Sequence, residues 1–356
     1  MKKILFALAS VALVSCTQDE DLAVIAPEAI KFGNSFVENS TRAIDATLNT
    51  GTLESFKVYG YVKGKQSGEG TVNIFNGVEV KKVTEQNQPQ AGDVVYDNSW
   101  WYAGANTQYW IEGNEYKFAA LVNGTAVLST EAHKMPISIS YNAAEQEDLL
   151  YATWSVESYS KTQNTNGVVA FTFDHLLSKV HFTFQNTITS NTSDMMMYTY
   201  RVSDIKITNA YMQGSYDVKT DNNPWTVKTE VENPRGEVAF GNISIADDTN
   251  SNAIEVGSVR AAASSTSHYS KLMIPYTYND LIITCKIETL LNGTVIDTEE
   301  THTITPSSVT LAPGHAYNFI ISKGNPGEVI KFSVTRVNEW APQAGPADTP
   351  VVNPAN

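Results

Sequence analysis

Few side chains in this chain of 356 residues have both the type and the spacing that chemistry requires. Ser158-Tyr159-Ser160-Lys161 fits the Ser-x-x-Lys pattern, in which a lysine activates a serine nucleophile. It lies in a polar stretch rather than at the start of a helix, so it reads as a loop. Asp174-His175 has the composition of an acid–base dyad. An apolar strand precedes it and Leu176-Leu177 follows, so a histidine that fixes a strand-to-turn junction accounts for it better. The six histidines, at 133, 175, 181, 268, 302 and 315, form no His-Glu-x-x-His, and there is no Cys-x-x-Cys. No metal site is expected. Neither a Gly-rich phosphate loop nor a nucleophile elbow is present, and the carboxylates are singly placed. The expectation is a protein that is not an enzyme and takes no cofactor.

The two cysteines have different prospects. Lys2 and Lys3 precede an apolar run from Ile4 to Val14, too short to span a bilayer. Its end, Leu13-Val14-Ser15-Cys16, resembles the bacterial lipobox, in which the cysteine becomes the lipidated first residue of the mature chain. Residues 1–15 are then a lipoprotein signal peptide. The acidic run Thr17-Gln18-Asp19-Glu20-Asp21 looks like a surface-export signal, or else a solvated tether. Either way, acyl chains on Cys16 are expected to anchor the protein outside the cytoplasm. Cys285 shares a strand face with Ile283 and Ile287 and reads as a buried, inert residue.

Aromatic residues offer the remaining chemistry. In Trp100-Trp101-Tyr102, adjacent side chains on a strand point to opposite faces, so one tryptophan of the pair can be open to a sugar ring. Trp110 is the third candidate for glycan contact. The competing reading packs Trp110 in the core and the pair beneath a loop.

These residues must be positioned by strands. Charged residues are only 17% of the chain, aromatic residues are 10%, and the formal net charge is −14. That balance favours β-structure at an extracytoplasmic surface. The acid excess argues against nucleic acid, which demands a basic footprint. Period-two alternation puts Phe56, Val58 and Val62 on one face, and likewise Val180, Phe182 and Phe184, and Ile330, Phe332 and Val334. Asn76-Gly77, Asn292-Gly293 and Asn123-Gly124 predict hairpin turns. Short helical turns are expected near Ala143 to Leu150 and His175 to Lys179, and the polar stretch Glu157 to Gly167 reads as a linker or long loop. The pattern Gly-x-x-Tyr-x-Phe occurs once in each half, at Gly113-Tyr116-Phe118 and Gly314-Tyr317-Phe319. Two antiparallel sandwiches follow, with the boundary near Asp174 to Ser178.

Several segments together resemble the fimbrillin family, the subunits of Bacteroidetes type V pili. They are the lipobox Cys16, Ser40-Thr41-Arg42-Ala43, the run from Trp110 to Phe118, and the run from Phe171 to Val180. Leu311 to Phe319 and the closing stretch Phe332 to Trp340 complete the match. The resemblance implies an all-β fold of two transthyretin-like antiparallel β-sandwich domains in tandem, at residues 43–175 and 176–340. Residues 16–42 would be a lipidated tether and N-terminal strand, removed by an arginine- or trypsin-like protease between Arg42 and Ala43. A flexible Pro-rich tail, 341–356, would follow. The implied partners are other pilus subunits by strand exchange, the outer membrane through the lipid anchor, the maturation protease, and a host or bacterial surface ligand. Nucleic acid is not among them.

The removed strand would come from Ala29-Ile30-Lys31-Phe32-Gly33 and Ser35-Phe36-Val37, and Arg42 is the first of only five arginines. The Pro-rich tail is a poor donor strand, which leaves stalk, tip and accessory positions open. The alternative function is a surface glycan-binding lipoprotein using Trp100, Trp101 or Trp110.

Overall fold

The computed structural model describes residues 27–33, 36–37, 53–64, 70–131, 133–162, 167–187, 198–219, 224–227, 235–241, 254–256, 263–266, 270–337 and 351–354. Among them there are strands and two short 3-10 turns, at Gly104–Asn106 and Ala143–Glu145, and no α-helix. The 3-10 turn at Ala143–Glu145 falls where a helical turn is expected. The stretch from His175 to Lys179 instead joins two strands.

In the first half the strands are β1 Lys31–Phe32, β2 Phe36–Val37, β3 Ser55–Lys63, β4 Thr71–Lys82, β5 Val94–Tyr96 and β6 Trp100–Tyr102. They continue with β7 Glu115–Val122, β8 Thr125–Leu128, β9 Pro136–Asn142, β10 Leu150–Val156, β11 Val168–Val169 and β12 Thr172–His175. The second half opens with β13 Ser178–Asn186, β14 Tyr198–Ala210, β15 Gln213–Asp217, β16 Trp225–Val227 and β17 Gly236–Gly241. Next come β18 Ile254–Val256, β19 Ala263–Thr266, β20 Lys271–Met273, β21 Thr277–Tyr278 and β22 Ile283–Leu291. The last are β23 Thr294–Ile304, β24 Val309–Thr310, β25 His315–Lys323, β26 Lys331–Val337 and β27 Val351–Pro354.

An eight-stranded sheet in the order β2-β12-β10-β7-β3-β4-β6-β5 belongs wholly to the first half. Its inner face, with β1 and β11, encloses a core rich in Phe and Trp that includes Phe56, Val58, Phe75, Phe118 and Phe173. In the second half, a sheet built on β19-β13-β25-β26-β27 faces one built on β17-β14-β22-β23. Val180, Phe182, Phe184, Ile283, Cys285 and Phe319 lie between them.

Pairing is mostly antiparallel. The exceptions are β1 with β11, β2 with β12, and β13 with β25, where Ser178 to Asn186 run beside His315 to Lys323. Parallel strands are usually covered on both faces. β13 accordingly buries its polar positions too, and Thr183 Oγ1 donates to Asn318 Oδ1 across the pair at 2.9 Å.

The halves are joined by a sheet that both supply. β8 and β9 come from the first, β15 and β16 from the second, and β9 pairs with β15 from Ser138↔Asp217 to Asn142↔Gln213. Beneath it lies a third core containing Tyr59, Leu121, Ile139, Leu176, Trp225 and Leu272. The Gln146 side chain donates to the Leu272 carbonyl and accepts from the Leu272 N–H, both at 3.0 Å. Trp225 Nε1 donates to the Leu176 carbonyl at 2.8 Å. Tyr59, on the face of β3 opposite Phe56 and Val58, is buried in this core beside Leu176, Trp225 and Leu272.

The three Asn-Gly pairs take three different structures. Asn292-Gly293 is the expected two-residue hairpin, with positive φ at both residues and Leu291 opposite Thr294. Asn123-Gly124 also has positive φ twice, but the chain passes from the eight-stranded sheet into the shared sheet. At Asn76-Gly77 no hairpin forms: β4 runs straight through, and the register with β3 shifts between Val58 and Tyr59. Gly77, at φ 71°, supplies a bulge.

Candidate functional site

The segment Glu28 to Gly33 is inserted between two neighbours, as a central strand is. On one side the Ile30 N–H donates to the Gln108 carbonyl at 2.8 Å, and the Trp110 N–H to the Glu28 carbonyl at 2.9 Å. On the other, the Lys31 N–H reaches the Gly167 carbonyl and the Gly33 N–H the Val169 carbonyl at 3.0 Å. β2 then continues the parallel pairing along β12, with Phe36 beside Thr172.

Alternation aims Ile30 and Phe32 inward, where they are 0% and 2% exposed. The Phe32 ring meets Phe75 at 5.2 Å, Tyr102 at 5.7 Å and Phe118 at 6.0 Å edge-on, and stacks on Phe171 at 6.0 Å. Tyr102 Oη donates to the Ile30 carbonyl at 2.7 Å. Burial holds the Tyr102 hydroxyl well above its ordinary pKa, so it remains a donor. Tyr159 Oη faces Glu28 Oε2 at 3.5 Å, and burial together with that carboxylate pushes its pKa up to about 12. Removing this segment would open an apolar channel through the first core.

Both turn glycines of the Gly-x-x-Tyr-x-Phe pattern have positive φ, 82° at Gly113 and 67° at Gly314. In each half the tyrosine hydroxyl accepts from the N–H five residues earlier at 2.8 Å: Ile111 to Tyr116, and Ala312 to Tyr317. The pattern is therefore one corner built twice, opening β7 and β25. In the first half, that corner carries the Tyr109–Ile111 stretch against which residue 29 bridges.

The expected glycan residues lie mostly inside. Trp100 is 6% exposed and tilts over Phe56 at 5.1 Å. Trp110, 7% exposed, stacks on Tyr159 at 4.3 Å, and its Nε1 donates to the Gly167 carbonyl at 2.9 Å. Neither offers an open ring face. Trp101 points to the opposite side of β6, half-buried, with Lys81 Nζ 5.8 Å from its ring.

Cys16, Arg42 and Ala43 lie outside the described residues. His175 lies against Asp148, Nδ1 to Oδ2 at 2.8 Å, and sits buried where β12 ends. Cys285 is fully buried, which pushes its thiol up to about 12. Ser158 and Lys161 are exposed loop residues, with Ser158 Oγ donating to the Gly113 carbonyl. Among the described residues no three His, Cys, Asp or Glu side chains cluster as a metal site would need. A polar cleft of 580 Å³ on the shared sheet, lined in part by Lys57, Asn142, Glu145 and Gln213, gathers no nucleophile with a base.

The role of the stretch Glu157 to Gly167 is the one sequence reading misses. Its described part folds back, placing Tyr159 on Trp110 and Gly167 against Glu28. The available signal was Tyr159 itself, a large aromatic in a polar run.

The fimbrillin-like family model matches residues 41–340. Among solved structures, a fimbrial protein from Bacteroides vulgatus is 16% identical, aligned over 85% of this chain and 98% of its own, with a TM-score of 0.52. A candidate cell adhesion protein from Bacteroides ovatus is 15% identical over 87% and 95%, with a TM-score of 0.44. A fimbrial assembly protein from Parabacteroides distasonis is 11% identical over 85% and 92%, with a TM-score of 0.38. No curated protein matches. With its family model spanning most of the sequence and its all-β fold shared with a fimbrial protein, the chain belongs to the fimbrillin-like family.

Proposed function

We propose that this cell-surface pilus or adhesion subunit is a lipoprotein precursor whose first sandwich becomes a strand acceptor when the chain is cut after Arg42. Family membership makes it a structural protein and not an enzyme. The observation that carries the reading is the burial of Ile30 and Phe32, ten or more residues upstream of Arg42, inside a core otherwise made from downstream residues. Cleavage leaves that strand held without a covalent link. Its loss exposes backbone groups along β11 and an apolar channel, which a strand from another subunit can fill by β-augmentation. Such a contact joins unlike surfaces and so propagates rather than closes.

The signal ending at Cys16 supports export and lipid anchoring at the outer membrane, released when cleavage separates residue 43 onward from the lipid. The described part of the tail, β27, lies antiparallel on β26, with Val334 opposite Val351. In that position it covers its own sheet edge, which favours an acceptor role for this chain over a donor role.

Limited trypsin treatment of lipid-free precursor should clip after Arg42 and convert monomer to strand-exchanged oligomers when partner subunits are added. Clipped protein that stays monomeric with every partner subunit supplied would rule out the assembly role.

A further inference from the structure

The channel now filled by residues 28–33 has a shape specific enough to describe its replacement. Two side chains enter it, two residues apart: an aliphatic one at Ile30 and an aromatic one at Phe32. The second pocket is walled by Phe75, Tyr102, Phe118 and Phe171, all within ring-contact distance of Phe32. The next position tolerates no side chain as packed, because a Cβ on Gly33 would lie 2.0 Å from Cδ1 of Tyr96. The Tyr102 hydroxyl needs a carbonyl at the aliphatic position, and the strand seated on β11 runs parallel to it, with Lys31 beside Val168 and Phe32 beside Val169.

We infer that the strand accepted by the matured first sandwich carries the sequence aliphatic-x-aromatic-Gly, runs parallel to Val168-Val169, and comes from a different kind of subunit. This deepens the strand-exchange reading and rests on it. The heterotypic partner follows from where such runs occur in this chain. Residues 341–356 contain no aromatic residue at all and four prolines, so this stretch cannot fill the Phe32 pocket. Val238-Ala239-Phe240-Gly241 fits the pattern but is committed to β17, with Val238 and Phe240 buried in the second core. Ile330-Lys331-Phe332 repeats the Ile30-Lys31-Phe32 tripeptide, and Ile330 and Phe332 are buried in that same core.

The test uses full-length precursor clipped with trypsin and four synthetic peptides: residues 28–37, the same peptide with Phe32→Ala, the same with Gly33→Val, and residues 341–356. Displacement of the clipped N-terminal fragment is followed by native mass spectrometry, and affinity by fluorescence anisotropy of labelled peptide. The parent peptide should displace the fragment with one peptide bound per protein. Phe32→Ala should bind about 100-fold more weakly or worse, and Gly33→Val about tenfold more weakly. Residues 341–356 should not displace it. A Phe32→Ala peptide within threefold of the parent, or displacement by residues 341–356, overturns the inference and leaves strand exchange standing. If even the parent peptide never displaces the fragment, strand exchange falls and the inference with it.

Discussion

Each half of the molecule begins with a strand that pairs in parallel with a late strand of the same half, but the two opening strands are held differently. In the second half, β13 matches β25 over nine residue pairs, from Ser178↔His315 to Asn186↔Lys323. In the first, the corresponding pairing is broken into β1 and β2, each two residues long. Side-chain anchorage is similarly deep in both: Val180, Phe182 and Phe184 are 0% exposed, and Ile30 and Phe32 are 0% and 2%. A long ladder makes β13 a permanent part of its sandwich. The first opening strand has shorter ladders, although residues 28–33 hydrogen-bond on both sides, and it relies more on two side chains in pockets. That division suits the proposed exchange, because pockets confer selectivity while a short ladder lets the strand leave.

The widest test of this contrast is truncation of the anchors. Phe32→Ala and Phe182→Ala should each destabilise the uncut precursor by about 3–5 kcal/mol in urea denaturation, because both empty a packed aromatic site. After cleavage at Arg42 they should part company. Phe32→Ala should shed the N-terminal fragment during gel filtration, whereas Phe182→Ala should retain it. Retention in both would mean that the first opening strand is anchored by its backbone after all.

The halves are compared fairly only if they are coupled, and Trp225 is where that can be broken. Trp225→Phe keeps much of the third core but removes the donor to the Leu176 carbonyl, at a cost of about 1–3 kcal/mol. It should also split one cooperative unfolding transition into two. A single unshifted transition would show that the shared sheet alone holds the halves together.

A smaller effect probes the repeated corner. Tyr116→Phe and Tyr317→Phe each orphan a backbone N–H, of Ile111 and Ala312 respectively, and each should cost about 1–2 kcal/mol. The Tyr116→Phe protein should in addition release its clipped fragment faster, because that corner adjoins the residue 29 bridge. Equal release rates for both variants would separate the corner from strand retention.

The sequence made the strands and the inward residues legible because period-two alternation follows directly from strand geometry. Phe56 and Val58, and Val180, Phe182 and Phe184, all face cores as that alternation requires. The candidate strand upstream of Arg42 was legible for the same reason. Pairing partners were not, because alternation is indifferent to whether a neighbour is parallel. Asn-Gly marks positive φ, which a hairpin, a sheet-crossing turn and a bulge all use. The tryptophans illustrate the remaining gap: Trp100 and Trp110 bury their rings against Phe56 and Tyr159, partners far away in sequence.

The finest difference between the corners concerns pH. The residue after the turn glycine is Asn114 in the first half and His315 in the second. Burial lowers the His315 pKa below its ordinary 6.5, and the nearby Arg336 charge lowers it further, although the Pro313 carbonyl at 2.5 Å from Nδ1 works the other way. With the folded pKa below the unfolded one, the unfolded chain takes up the proton first as pH falls. Stability from this group is therefore complete above about pH 6.5 and is lost as pH drops through the lowered folded value. His315→Asn gives the second corner the uncharged residue that the first already has. Urea denaturation between pH 5 and 7.5 should show a smaller acid loss for that variant than for the parent chain. An unchanged slope would assign the acid sensitivity elsewhere and leave the two corners equivalent in charge as well as in geometry.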